Sequence, residues 1–583
     1  MFKKALFLLL ALLPLPFLSL AIEPDSTIAI PMRDGFELLA DVYLPAPDAK
    51  NLPCILVRNP WGKSHFRDSY TPLVQHGFAV VIQNTRSVQD PGGSLLPFID
   101  EGWGEHKDGY DTVEWLARNS LTNGRIGTLG FSAMGITQLM LAATAPPHLV
   151  CQYIGMAAPD LFHYAIYPDG RLLKNQVEGW LKMVSRHAEV FKMIQRNSQY
   201  NEFWEQTNSQ KMAEHVRVPG LFYSGWYDTF SQGTIDAFLK RQKDGGPGAK
   251  GHQKLVMGPW QHHWPYLSVF GDFEVPVNAK KMPEKYSSLE WFIYYLKGQD
   301  NSVPELPAVA YYVMGPFDGS PSKGNVWRYA ENWPVPSQPT PLYLDQQGVL
   351  SFNKPSQQQK TAFNYDPANP SPTLGGRNLF LPSGPEDQSS LQRRADLAIF
   401  TSDALSQDLE VTGRLYAMIQ FQSNVPETDL SIRLCDVYPD GRSVLIADSL
   451  KKVSQAAHKQ TVELDLWSTS IVFAKGHKIR IYVSGANYPK YEKSLNGGQN
   501  DAKAPIAHDT IFMGPDDLSF ILLPVVPSKA DDGKNGSSGY LENGENGEDG
   551  KRGKKGQSGS HGGNGGSSVF GNGGNGGNGG DAD

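Results

Sequence analysis

A chain of 583 residues is too long for one hydrophobic core, which excludes a single domain and predicts at least two with appendages. Its 40% hydrophobic and 19% charged residues fit a folded globular body. The formal net charge of −7 is spread along the chain, without a basic stripe or an aromatic-interleaved Lys/Arg cluster, so nucleic acid is excluded as an expected partner.

In chain order, the first segment reads as a secretory signal. Lys3 and Lys4 give a positive start, residues 5–13 are unbroken apolar, and Pro14 and Pro16 end the run. Ser19 and Ala21 place small residues at the −3 and −1 positions of a cleavage site. The expectation is a signal peptide over residues 1–21, a mature N-terminus at Ile22, and export to the periplasm or the exterior. A retained anchor is the competing reading, but the segment is short for a bilayer span. No later segment is apolar enough to span a membrane.

Residues 26–165 alternate strand and helix signals. Leu39 to Leu44 alternates like a strand, while Cys54-Ile55-Leu56-Val57 and Ala79-Val80-Val81-Ile82 are short apolar runs of the kind buried parallel strands require. Residues 111–118 read as an amphipathic helix, 125–130 as a strand and 133–145 as a helix. This alternation predicts a mostly parallel sheet with helices on both faces. Residues 166–215 break it: Val177, Trp180, Leu181 and Val184 recur at helical spacing, as do His187, Val190, Phe191 and Ile194. They read as an inserted helical cap. Strand signals resume at Leu221-Phe222-Tyr223 and Leu255-Val256-Met257.

A Pro-rich stretch over residues 333–341 marks a domain boundary. Beyond it alternation is all β, as in Leu415, Ala417, Ile419 and Phe421, with Pro439-Asp440-Gly441 as a turn. The expected organisation is an α/β domain over 22–165 and 216–330, the cap over 166–215, and a β-sandwich of jelly-roll type over 335–525. A Gly-rich tail follows over 527–583. Gly recurs there every third position from 544 to 565 and again from 571 to 580. A collagen helix uses that period but also needs Pro, absent after Pro527, so the tail reads as disordered and soluble. The three cysteines, Cys54, Cys151 and Cys435, are too few, and odd in number, for a disulfide scaffold in an exported protein. They read as small core residues, and no Cys/His spacing suggests zinc.

The strongest chemical signal is Gly130-Phe131-Ser132-Ala133-Met134-Gly135, set between a strand and a helix. A nucleophile elbow needs that setting, because the sharp turn holds the serine oxygen above the sheet. The usual second Gly stands two residues after Ser; here Met134 holds that place and Gly135 follows. A serine hydroxyl is a poor nucleophile without a base, and two later segments supply partners in the order Ser, Asp, His. Ser224-Gly225-Trp226-Tyr227-Asp228 follows one predicted strand, and Gly258-Pro259-Trp260-Gln261-His262-His263 follows the next. Taken alone, Asp228 reads as a turn or cap residue and His262 as a loop histidine.

With these motifs in place, the chain resembles the cocaine esterase and X-Pro dipeptidyl-peptidase superfamily, the CocE/NonD hydrolases. The likeness runs from about Ile30 to Leu523 and includes Met32-Arg33-Asp34-Gly35, Val57-Arg58-Asn59-Pro60, Gln83-Asn84-Thr85-Arg86, Asn123-Gly124-Arg125, the serine elbow, Gly225-Trp226-Tyr227-Asp228 and Gly258-Pro259-Trp260-Gln261-His262. Thr428-Asp429-Leu430 and Asn487-Tyr488-Pro489-Lys490-Tyr491 match in the β domain. The resemblance implies an α/β-hydrolase domain with an inserted helical cap and a jelly roll packed beside the site. It implies Ser132 as nucleophile, His262 as general base, Asp228 as its orienting acid, and no metal or organic cofactor. His263 is the competing histidine.

Two departures stand out. The family has Tyr after Asn-Pro, where its hydroxyl helps form the oxyanion hole; here Trp61 stands. The family also has Tyr after the nucleophile; here it is Ala133, whose backbone N–H can still donate. Either the Trp61 indole N–H completes the hole, or Trp61 packs the wall and another N–H, such as that of Gly62, donates.

Three functions compete. The first is hydrolysis of small esters or amides through an acyl-enzyme. The second is release of X-Pro dipeptides, which requires carboxylates to hold a free α-amine; Thr229-Phe230-Ser231-Gln232 after Asp228 offers none. The third is an inactive hydrolase fold that binds or adheres through its tail. The expected partner is a small-molecule ester, amide or short peptide.

Overall fold

The computed structural model describes residues 23–527 apart from 91–93, 95, 185 and 264–268. The expected signal peptide over 1–21, and the tail from 528 on, lie outside the described residues.

Ten strands form the first sheet: β1 (Ser26–Pro31), β2 (Glu37–Tyr43), β3 (Leu52–Asn59), β4 (Ala79–Asn84), β5 (Thr122–Phe131), β6 (Leu149–Gly155), β7 (Gly220–Tyr227), β8 (Lys254–Gln261), β9 (Val309–Val313) and β10 (Val326–Ala330). Their order is β1-β2-β4-β3-β5-β6-β7-β8-β9-β10. From β4 to β9 all neighbours are parallel, and the two margins are antiparallel. Parallel strands need helical crossovers, so both faces are covered and the strands carry continuous apolar runs. Side chains of β3 therefore alternate between two cores. Cys54 and Leu56 join Val113 and Leu116 of helix α1 (Asp108–Arg118), whereas Ile55 and Val57 lie in the core that holds Phe292. Cys54, Cys151 and Cys435 are all free and buried.

Two strands are longer than their sequence signals. The pattern ends them at Tyr223 and Met257, but pairing continues as Ser224↔Met257, Gly225↔Gly258 and, past a bulge, Tyr227↔Gln261. Glycine permits this: a Cβ on Gly225 would lie 2.1 Å from the Trp260 carbonyl oxygen. The Gly and Pro that read as strand-ending loops instead let two backbones close up, so Asp228 and His262 follow their strands directly.

The cap contains helices Lys174–Leu181, His187–Arg196 and Glu202–Glu205. Of the residues at helical spacing, Val177, Leu181, Val190 and Ile194 are buried and Trp180, Val184 and Phe191 half-buried, whereas His187 is exposed; Trp204 is buried as well. From Gln338 to Val525 eleven strands form the β-sandwich. Its strand Leu409–Gln422 buries Leu415, Ala417, Ile419 and Phe421 fully and leaves Arg414, Tyr416, Gln420 and Gln422 half-buried.

The domains share hydrogen bonds. Met314 N–H donates to Ser470 O at 2.9 Å and Val472 N–H to Met314 O at 2.8 Å. Tyr227 Oη donates to Leu445 O at 2.7 Å, and Arg171 of the cap pairs with the buried Asp429 at 2.7 Å. The sandwich is thus tied both to the sheet and to the cap. Among the described residues no helix is long and apolar enough to cross a membrane.

Candidate active site

Ser132 sits between β5 and helix α2 (Ala133–Ala142), with φ 57 and ψ −126. That conformation is rare outside glycine and marks stored strain at a functional turn. Close packing holds it. Ser132 N–H donates to Gly155 O at 2.9 Å. A Cβ on Gly130 would lie 2.5 Å from Met134 Cβ, and one on Gly135 only 2.8 Å from Gly155 O. The glycine displaced to position 135 is therefore the one that lets α2 approach β6, while Met134 is buried in the core.

The parallel sheet brings the three predicted residues together at the carboxyl ends of β5, β7 and β8. His262 Nε2 lies 2.8 Å from Ser132 Oγ, and His262 Nδ1 lies 2.7 Å from Asp228 Oδ1. Asp228 and His262 are buried, and Phe230 packs edge-on against the imidazole at 5.3 Å. His263 points elsewhere, its Nε2 reaching Leu379 O at 3.0 Å.

Asp228 has two further donors. Phe230 N–H reaches Oδ1 at 3.1 Å and the buried Ser224 hydroxyl reaches Oδ2 at 2.5 Å. Sequence reading assigns no role to Ser224, because a serine inside a strand signal carries no mark of what it faces. Together these contacts fix the carboxylate so that one oxygen meets the imidazole. A serine, a histidine and a buried carboxylate so connected can move the serine proton to the imidazole and stabilise the resulting cation.

Ala133 and Met134 of α2 and Trp61 of the loop after β3 line the cavity beside Ser132. N–H groups in the first turn of a helix, here Ala133 and Met134, have no acceptor within the helix and carry its positive end. In the facing loop Trp61 N–H donates to Asn59 Oδ1 at 3.0 Å, and Gly62 N–H to Asn59 O at 3.3 Å. Gly62 has φ 103, a conformation that glycine adopts without the cost a side chain would add. These two backbone donors are thus engaged, and the Trp61 ring lines the cavity beside Ser132. The loop is anchored by Arg58, whose Nε donates to Glu101 Oε2 at 2.8 Å and whose carbonyl accepts from Thr137 Oγ1 at 3.0 Å. Burial pushes the Glu101 carboxyl up to about 6 even against the pull of Arg58.

Above Ser132 lies a cavity of about 180 Å³. Phe98 and Ile136 line its hydrolase side, Val177 and Trp180 the cap side, and Leu379 and Phe380 the sandwich side. Among the described residues, none that lines it is Asp, Glu, Lys or Arg. Gln176, among its few polar residues, is already engaged with Thr229 and with Ala165 O. The contribution of Leu379 and Phe380, from a sandwich segment pinned by reciprocal Gly376–Gly384 hydrogen bonds, had no signal in the sequence.

Comparison with known proteins agrees with this architecture. Residues 34–190 and 181–264 match the X-Pro dipeptidyl-peptidase (S15) family, and residues 301–522 match the X-Pro dipeptidyl-peptidase C-terminal non-catalytic domain. The cocaine esterase of Rhodococcus sp. (strain MB1 Bresler) is 27% identical over 583 residues, covering 86% of this chain and 98% of the esterase. An aminopeptidase from a marine sediment Thaumarchaeota archaeon superposes with a TM-score of 0.71 at 20% identity, over 86% of this chain and 96% of its own. A CocE/NonD family hydrolase from Staphylococcus aureus does so with a TM-score of 0.65 at 18% identity, over 87% and 93%. With the S15 domain, its C-terminal partner domain and the hydrolase fold all present in order, the chain belongs to the X-Pro dipeptidyl-peptidase (S15) and CocE/NonD family of hydrolases.

Proposed function

We propose that this protein is an exported serine hydrolase that cleaves esters of neutral, apolar acyl groups, or the corresponding amides, through an acyl-enzyme. The observation that carries the reading is the Ser132–His262–Asp228 relay opening into a cavity whose described lining contains no Asp, Glu, Lys or Arg. Ser132 Oγ attacks the carbonyl carbon while His262 Nε2 takes its proton. The tetrahedral oxyanion is met by the Ala133 N–H and by the Trp61 indole N–H. His262 then protonates the leaving alcohol or amine as the carbonyl re-forms on Ser132. Water repeats the sequence on the acyl-enzyme, and Asp228 stabilises the imidazolium in both halves. The leader-like residues 1–21 support export.

The dipeptidyl-peptidase reading is second. An α-ammonium desolvated in this cavity needs a carboxylate partner. Asp236, the first acid of the helix after Asp228, is instead bonded to Tyr164 Oη at 2.6 Å and paired with Arg414 at 3.2 Å. Both observations favour a neutral acyl group. The inactive-fold reading has nothing to support it in a connected triad.

The test is a fluorophosphonate probe followed by a panel of nitrophenyl esters, acyl anilides and Gly-Pro or Ala-Pro anilides. We expect labelling that Ser132→Ala abolishes, and esters turned over ahead of both anilide classes. His262→Ala loses activity and His263→Ala retains it, since single triad members are worth about 10⁴–10⁶ in rate. Preference for Gly-Pro anilide would overturn the acyl-ester reading, and absence of labelling would overturn serine catalysis.

A further inference from the structure

The cavity above Ser132 opens through an apolar mouth. Phe66, Met183 and Phe380 all line it, yet they are 43%, 50% and 42% exposed. They come from three separate parts of the chain: the loop after β3, the cap and the sandwich. Exposed apolar side chains scattered singly need no explanation, whereas a convergent set at the opening of a cavity marks a contact surface.

Phe66 bears a second cost. Its backbone lies in the left-handed region, with φ 61 and ψ 13, where a bulky residue is an outlier and Asn or Gly is at ease. Its ring meets Phe131 edge-on, with centroids 5.9 Å apart, and Phe131 directly precedes the nucleophile. The left-handed backbone costs the fold, and the Phe131 contact leaves much of the ring wetted. Both are accounted for if the ring contacts a ligand.

We infer that the mouth formed by Phe66, Met183 and Phe380 binds the apolar portion of the substrate that the cavity leaves outside, so that the substrate is an uncharged ester larger than the cavity, with apolar groups on both sides of its carbonyl. The inference rests on the acyl-ester reading of the Ser132 site. Phe66 is its specificity-determining residue: it sets how steeply turnover rises with substrate size and takes no part in proton transfer.

The test uses Phe66→Asn in the full chain, because Asn keeps the left-handed backbone and removes the ring. Two series are measured as kcat/KM: 4-nitrophenyl esters from acetate to decanoate, and acetates of alcohols from methanol to 2-naphthol. In the wild type kcat/KM rises with size. In Phe66→Asn the ratio of the largest to the smallest substrate falls about tenfold in at least one series, mainly through KM. Thermal stability stays level or rises, since strain and an exposed ring are both removed. As a readout independent of turnover, Ser132→Ala should bind 4-nitrophenyl decanoate more tightly than Ser132→Ala/Phe66→Asn does, followed by the fluorescence of Trp61 and Trp180. A size dependence unchanged by Phe66→Asn in both series overturns the inference, as does a fall in stability without a change in selectivity. Absence of fluorophosphonate labelling in the wild type overturns the parent reading as well. Labelling with a flat size dependence overturns the apolar mouth alone.

Discussion

Trp61→Phe isolates one hydrogen-bond donor. Trp61 lines the cavity that holds Ser132, and three N–H groups are at issue there: the Trp61 backbone, the Gly62 backbone and the Trp61 indole. The first donates to Asn59 Oδ1 at 3.0 Å and the second to Asn59 O at 3.3 Å. Either would have to leave a partner that holds the loop in shape before it could serve a substrate oxygen. Under the proposed mechanism the indole complements the helix N–H of Ala133, and Phe removes it while keeping an aromatic ring in the wall. Losing one of two oxyanion donors lowers kcat by about 10²–10³, equivalent to about 2.7–4 kcal/mol of transition-state stabilisation. KM should move little, because the donor acts on charge that develops after binding. Trp61→Tyr should recover part of the loss, since a phenol O–H donates in place of the indole. The assay is steady-state turnover of 4-nitrophenyl acetate, with fluorophosphonate labelling to confirm an intact Ser132. Wild-type kcat in Trp61→Phe would refute the reasoning and make Trp61 a packing residue of the wall.

Ser224→Ala removes the hydroxyl that donates at 2.5 Å to Asp228 Oδ2; kcat should fall about 10- to 150-fold, the equivalent of the ~1.5–3 kcal/mol of a hydrogen bond to a charged group. Ser224→Thr should restore most of it, and an equal loss in both would mean that packing at this site matters more than the hydroxyl. In the sandwich, burial with a lesser contribution from the negative charge of Asp429 pushes the Asp509 carboxyl up to about 7. A carboxyl raised above its unfolded value of about 3.9 binds its proton more tightly in the fold, so it costs nothing below pH ~4, costs progressively more between ~4 and ~7, and a constant amount above. The ceiling is about 4 kcal/mol at 1.36 kcal/mol per unit. Asp509→Asn should therefore raise the urea midpoint at pH 8 and leave it unchanged near pH 4; a gain equal at both pH values would show that ionisation is not the cause.

How much was legible in the sequence follows from the range over which each feature is encoded. The apolar runs at Cys54–Val57 and Ala79–Ile82 declare buried parallel strands because any strand covered on both faces must be apolar at every position. The Gly-x-Ser turn, and the order Ser132, Asp228, His262 at successive strand ends, are likewise local. Once the sheet is parallel, its carboxyl ends bring those residues together without further information. The periods of the cap helices and of the sandwich strands mark those elements for the same reason: burial imposes its period on contiguous residues.

Contacts between segments far apart in the chain leave no such local mark. Ser224 faces Asp228 because β7 continues past Tyr223, and it continues because Gly225 lets the β8 backbone approach, a matter of fit between two chains that neither chain's pattern contains. The engagement of the Gly62 N–H by Asn59 depends on a loop turn that the Asn-Pro-Trp-Gly letters leave open. Leu379 and Phe380 reach the cavity only because the sandwich docks on the sheet and the cap, and the left-handed backbone of Phe66 is imposed by the loop around it. The sequence encodes the chemistry of the site in short motifs, while the shape of its pocket is set by packing among three domains, whose energy is spread over many weak, non-directional contacts and leaves no periodic trace in any one segment.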